Sequence, residues 1–208
     1  VHIVISGFTQ RRGNYHGILK LREALIAAGH SRGATRRVWM LPWVANWTHV
    51  ARDLSIIGVT HGLHPIVTVA GYSYGGYGAV QLCRACERVG IRIASLTLSD
   101  PVGRRWWWPR PLPAATSLIG RDMAFRLPIS DNVTTVNEFW QERNRPQGHR
   151  LILGPSTRRG IYQQLDYRHQ EMDDAPEFHE CVIDEAGAAW GMGVLHDSRV
   201  DTSGGGAG

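Results

Sequence analysis

Lysine is nearly missing from this chain of 208 residues: Lys20 is the only one among 23 basic side chains. Arginine therefore carries almost all of the positive charge behind a formal net of +5. Four arginine pairs, Arg11–Arg12, Arg36–Arg37, Arg104–Arg105 and Arg158–Arg159, lie far apart. They build no basic helix or nucleic-acid signature, so the surplus reads as solvated surface and no nucleic-acid partner is expected. Cysteine is scarce as well. Three cysteines, an odd number, exclude a disulfide framework. Cys83 and Cys86 form a C-x-x-C, but inside a predicted helix rather than at its N-terminus, where a thiolate would be stabilised. With no second such pair there is no zinc pattern, and these read as buried helix cysteines. No apolar run reaches the ~18 residues of a membrane span, so no stable membrane insertion is expected. No signal peptide opens the chain, which starts with the strand-like "VHIVISGF". That sets the expectation of a cytoplasmic location, with a segment upstream of Val1 left open. There is no internal repeat.

What is present is a globular composition, 43% hydrophobic and 20% charged. The first half alternates between two periodicities. Apolar runs at 1–8, 37–43, 65–71 and 92–100 read as strands. Between them, 15–29 carries Ile18, Leu21, Leu25 and Ala28 at helical spacing and stops at Gly29. Residues 47–58, with Val50, Leu54 and Ile57 on one face, and 78–90 complete a βαβαβαβ order. That order predicts an α/β fold with a mostly parallel central sheet of about five to six strands, covered on both faces. Ligands in such sheets bind beyond the carboxyl ends of the strands. Here those ends are "SGFT", "LPW", "GYSYGG" and "LSDPVG".

The second half is less regular. Residues 103–120 hold Trp106, Trp107 and Trp108 and three spaced prolines. The prolines exclude a regular helix or central strand, and the stretch reads as a cap or lid loop. Residues 132–140 and 161–167 are strand candidates, and 145–160 is expected to be mostly loop. A helix over 174–187 has Asp174 at its N-cap and Glu177 closing a capping box. Phe178, Cys181, Val182 and Glu185 share one face. Residues 1–200 read as one domain and 201–208 as a flexible tail.

The pattern that carries chemistry is Gly71-Tyr72-Ser73-Tyr74-Gly75, a G-x-S-x-G between a strand and a helix. A sharp turn there lifts a serine hydroxyl above the sheet, and bulk at the −2 or +2 position would meet neighbouring backbone. The helix that follows aims its N-terminal amides at developing negative charge. In this context the sequence resembles the α/β-hydrolase superfamily, and within it lipases and esterases, across roughly residues 1–187 by the order of its motifs.

The resemblance implies an α/β-hydrolase-like three-layer sandwich and a serine hydrolase acting on small-molecule or lipid esters. Thioesters are the alternative substrate on the same residues. It makes Ser73 the nucleophile. "VISGFTQ" after the first strand matches the lipases' His-Gly-Phe, with Ser6 in place of the usual histidine, so the backbone amides of Phe8 and Tyr74 become the oxyanion-hole donors. "LTLSDPVG" matches a Leu-Asp-Pro context in lipases of the pancreatic type and makes Asp100 the acid, with Glu138 and Glu142 as later-strand alternatives. The base should follow the acid. His169 stands before a capped helix, where the fold's histidine loop belongs, while His149, His179 and His196 remain candidates. Trp106, Trp107 and Trp108 are candidate substrate contacts, equally readable as cap packing. Neither a cofactor nor a metal is called for; "HQEMDDAPEFH" matches no metal-site spacing. A competing class is a non-catalytic α/β binding module. The turn lacks both the Gly-Lys-Ser/Thr ending of a P-loop and the G-x-G-x-x-G register.

Overall fold

The computed structural model describes residues 1–8, 10, 16–31, 37–61, 65–103 and 126–197, with only the backbone of the last helical turns. The Trp/Pro-rich stretch from 104 onwards and the 201–208 tail lie outside the described residues. Strands β1 (His2–Ser6), β2 (Val38–Pro42), β3 (Val67–Tyr72) and β4 (Ile93–Ser99) alternate with helices α1 (Gly17–Ser31), α2 (Trp47–His61) and α3 (Tyr74–Arg88). The short strand β5 (Leu127–Pro128) follows, then β6 (Val133–Trp140), the short β7 (Leu151–Ile152), β8 (Arg158–Gln164) and the long helix α4 (Pro176–Asp197). Six strands form one sheet in the order β2-β1-β3-β4-β6-β8, every pair parallel. Strands β5 and β7 make a separate parallel pair. This is an α/β-hydrolase-like three-layer sandwich.

The uninterrupted apolar runs have a direct cause. Side chains alternate across a strand, and here both faces are covered. Ile3 and Ile5 of β1 point into one core with Val50 and Leu54 of α2 and Leu82 of α3. Val4 between them points into the other, with Ile18, Leu21 and Leu25 of α1 and Phe178 and Val182 of α4. Each such fully buried aliphatic side chain stabilises the fold by about 1.5–3 kcal/mol.

Three boundaries differ from the sequence reading. Helix α3 begins at Tyr74, four residues earlier than expected, because the turn after β3 takes a single residue and its glycines lie inside the helix. Strand β8 begins at Arg158 and ends at Gln164, so part of the expected loop is strand. Helix α4 begins at Pro176 and runs well past 187. Its start puts Ala175, not Asp174, at the cap, and Asp174 instead takes an ion pair from Lys20 at 2.5 Å. A rigid proline ring fits the first helical position. Among the described residues no helix is long and apolar enough to cross a membrane.

Candidate active site

The order in which the chain adds strands switches direction between β1 and β3, and the turns at the carboxyl ends of β1, β3 and β4 carry the polar residues of the site. Ser73 occupies the turn between β3 and α3 with φ 53° and ψ −124°, a backbone state that L residues rarely adopt. Such strain costs about 1–3 kcal/mol and persists only where surroundings enforce it. They do so here. The Ser73 amide donates to the Ser99 carbonyl at 3.0 Å, and its carbonyl accepts from Gly76 and Val102, each at 2.9 Å. A Cβ on Gly71 would lie 2.6 Å from the Gly75 carbonyl oxygen, and one on Gly75 would collide with the Ile5 carbonyl. Both glycines are therefore demanded by close backbone approach.

Asp100 follows β4, also at positive φ (42°), and is fully buried. Its Oδ1 accepts from the Gly148 amide at 2.7 Å, and its Oδ2 from the Gln141 side-chain amide at 2.9 Å. The same Oδ2 accepts from His169 Nδ1 at 2.6 Å. On the far side of the ring, His169 Nε2 lies 2.9 Å from Ser73 Oγ. A carboxylate only accepts, so the proton sits on Nδ1 and Nε2 is the acceptor for the serine hydroxyl. His169 opens a 3-10 turn over residues 169–171 and is held from several sides. Its amide donates to Asn144 Oδ1 at 2.6 Å, and its carbonyl accepts from the Tyr72 hydroxyl at 2.8 Å. Burial, with Asp173 and Asp100 nearby, pushes the Tyr72 phenol far upward, so it remains a neutral donor.

Ser73, His169 and Asp100 thus stand in one hydrogen-bonded line. The alternatives lie elsewhere. His149 is fully buried, with Nε2 3.3 Å from the Gly103 carbonyl oxygen. His179 lies in α4 and donates to the Asp173 carbonyl at 2.7 Å. His196 is in the last turns of α4, where side chains are outside the described residues. Glu138 is buried in β6 and ion-paired with Arg159 at 3.2 Å, while Glu142 is exposed. Among the described residues no group of three His, Cys, Asp or Glu side chains is placed to hold a metal ion. Cys83 and Cys86 are buried in α3, and burial pushes the Cys86 thiol up to about 12.

Phe8 and Tyr74 stand beside the serine, their rings 5.8 Å apart. Trp43, in the turn after β2, packs on both, at 5.5 Å from Phe8 and 5.3 Å from Tyr74. Sequence reasoning missed Trp43, and it missed Gln141 and Asn144 entirely. The only signal for Trp43 was its position in "LPW", at the carboxyl end of a strand. Ser6, at the position of the family histidine, is buried and aims its hydroxyl at the Leu41 carbonyl 3.5 Å away. Trp106, Trp107 and Trp108 are outside the described residues.

No protein-family model matches the chain, and no curated protein does. Several solved structures are similar in fold at low identity. A thioesterase of the prodiginine biosynthetic pathway in Streptomyces coelicolor is 11% identical, with 89% of this chain and 84% of that one covered and a TM-score of 0.47. Human thioesterase 2 is 11% identical over 90% of this chain and 96% of that one, also with a TM-score of 0.47. A putative α/β-superfamily hydrolase from Xanthomonas campestris is 15% identical over 92% and 98%, with a TM-score of 0.40. The α/β-hydrolase-like fold is carried by the chain's own six-stranded parallel sheet, the helices on both of its faces and the serine turn between β3 and α3.

Proposed function

We propose that this protein is a serine hydrolase that cleaves carboxylic esters through an acyl-enzyme. The observation that carries the reading is the continuous line from Ser73 Oγ through the His169 ring to Asp100, at 2.9 and 2.6 Å. In this reading His169 Nε2 takes the hydroxyl proton as Ser73 Oγ attacks the acyl carbon. The tetrahedral oxyanion rests on the backbone amides of Phe8 and Tyr74, the second at the positive end of α3. One such donor is worth about 3 kcal/mol in the transition state. Asp100 fixes the tautomer and stabilises the imidazolium. His169 then returns the proton to the leaving alcohol, and water, deprotonated by the same ring, releases the acid. Every proton moves through His169, so the scheme uses no cofactor.

The attacked atom is a carbonyl carbon, and nothing in this line of groups selects the leaving atom. Thioesters are therefore the second substrate class. Trp106, Trp107 and Trp108 remain the proposed acyl contacts, and residues 1–200 the proposed functional unit. The test is hydrolysis of short-chain p-nitrophenyl esters beside the matching acyl thioesters. The wild type turns over at least one class, and Ser73→Ala loses on the order of 10^6-fold in kcat. A folded wild type inert on both panels leaves the binding-module reading in its place.

A further inference from the structure

Outside the line of reacting groups, one polar connection joins two segments far apart in sequence. The turn after β1 is closed by its own backbone, the Gln10 amide donating to the Gly7 carbonyl at 3.3 Å. The Gly7 amide in turn donates to Gln10 Oε1 at 2.8 Å. The other end of the Gln10 side chain donates from Nε2 to Asp173 Oδ2. That carboxylate oxygen also accepts from the Gly17 amide at the start of α1, at 2.8 Å. Asp173 is 5% exposed and lies four residues after His169, in the segment that continues its turn. This segment is pinned again on both sides of Asp173's side chain. Ser99 Oγ donates to the Met172 carbonyl at 2.6 Å, and His179 to the Asp173 carbonyl at 2.7 Å.

We propose that Gln10 and Asp173 are positioning residues that hold the Phe8 amide in fixed relation to His169. The inference rests on the serine-hydrolase reading given above. Phe8 lies between Gly7 and Gln10 and is 61% exposed, with its ring against Trp43 and Tyr74. An amide that must meet an oxyanion has to be held in place before the charge appears. A displacement of about 1 Å at such a group costs about 100-fold in rate. The carboxamide of Gln10 suits this task because one end accepts and the other donates. It satisfies the Gly7 amide, and it ties the turn to a carboxylate that the base segment and α1 already hold. The ring contacts of Phe8 reach Trp43 after β2 and Tyr74 at the start of α3, neither of which lies on the base segment.

Kinetics on the full chain separate positioning from simple stapling of a loop. Active sites are first counted by stoichiometric fluorophosphonate labelling, and kcat is expressed per labelled site. Gln10→Ala lowers kcat about 10- to 100-fold with KM changed less than about threefold. Asp173→Ala gives a similar loss, and Gln10→Ala/Asp173→Ala is no worse than the weaker single variant, because both remove one connection. Asp173→Asn keeps an oxygen acceptor and recovers at least about threefold over Asp173→Ala. Should Asp173→Ala fail to fold, Gln10→Ala and Gln10→Met carry the test by the same kcat criterion. Wild-type kcat per site in Gln10→Ala, losses confined to KM, or additive losses in the double variant overturn the proposal. A wild type that neither labels nor turns over any ester or thioester instead removes the hydrolase reading on which it rests.

Discussion

The proposed nucleophile and the proposed base of the candidate site are held by different kinds of structure. Ser73 is fixed by regular elements: β3 behind it, α3 ahead, and β1 and β4 beside it. Its strained backbone is enforced by main-chain contacts with residues of those same elements and the start of the loop after β4. His169 is placed by loops, and so is the carboxylate of Asp100, although the Asp100 amide, at the end of β4, donates to the Phe139 carbonyl of β6 at 2.7 Å. Gln141, Asn144 and Gly148, in the loop after β6, bond to the acid or to the base segment. The Gln141 amide also donates to the carbonyls of Asn144 and Pro146, each at 3.0 Å, so it organises the loop it belongs to. The nucleophile side is thus coupled to the fold itself. The acid–base side depends on a few buried polar side chains.

Mutation can break that contrast, and short of removing the Ser73 hydroxyl itself the largest effect falls on the loop-held side. Asp100→Asn keeps the size of the side chain but no longer enforces the Nδ1-protonated tautomer. Activity on a responsive ester drops on the order of 10^4-fold, with little change in melting temperature. Steady-state kinetics beside a thermal melt checks this, and an equal loss of stability would blur the distinction between the two sides. A smaller loss of rate, tied to stability, follows on the strand–helix side. Gly75→Ala drives a Cβ into the Ile5 carbonyl, which is main chain and cannot swing aside. Overpacking of this kind costs about 1–3 kcal/mol. The melting temperature falls by about 5 °C, and kcat by about 100-fold as Ser73 Oγ leaves its place. An unshifted melt would mean that the turn is not under the constraint described.

The same contrast explains what the sequence disclosed. Where the backbone is regular, local periodicity carries the information. The helical spacing of Ile18, Leu21 and Leu25, and the glycines flanking Ser73, marked the layers and the strand–turn–helix junction. Asp100 was legible because it ends a strand. His169 was legible through the family's chain order, and spacing alone left His149 and His179 beside it. The structure puts those two rings against the Gly103 and Asp173 carbonyls instead. Gln141, Asn144 and Gln10 gave no such signal, since each acts through a partner tens of residues away, and Trp43 gave only its place at the end of a strand. The start of α4 was misread for a related reason. Asp174 has the chemistry of a cap, yet Lys20 on another helix takes its carboxylate. The helix starts instead at Pro176, whose ring suits the first helical position.

The most direct test of the central claim is the site of covalent labelling by a fluorophosphonate, read by mass spectrometry of the folded protein and its peptides. The account predicts one adduct per chain, on Ser73, absent from Ser73→Ala and strongly slowed in His169→Ala. A folded wild type that takes no label, or takes it on another residue, would contradict it.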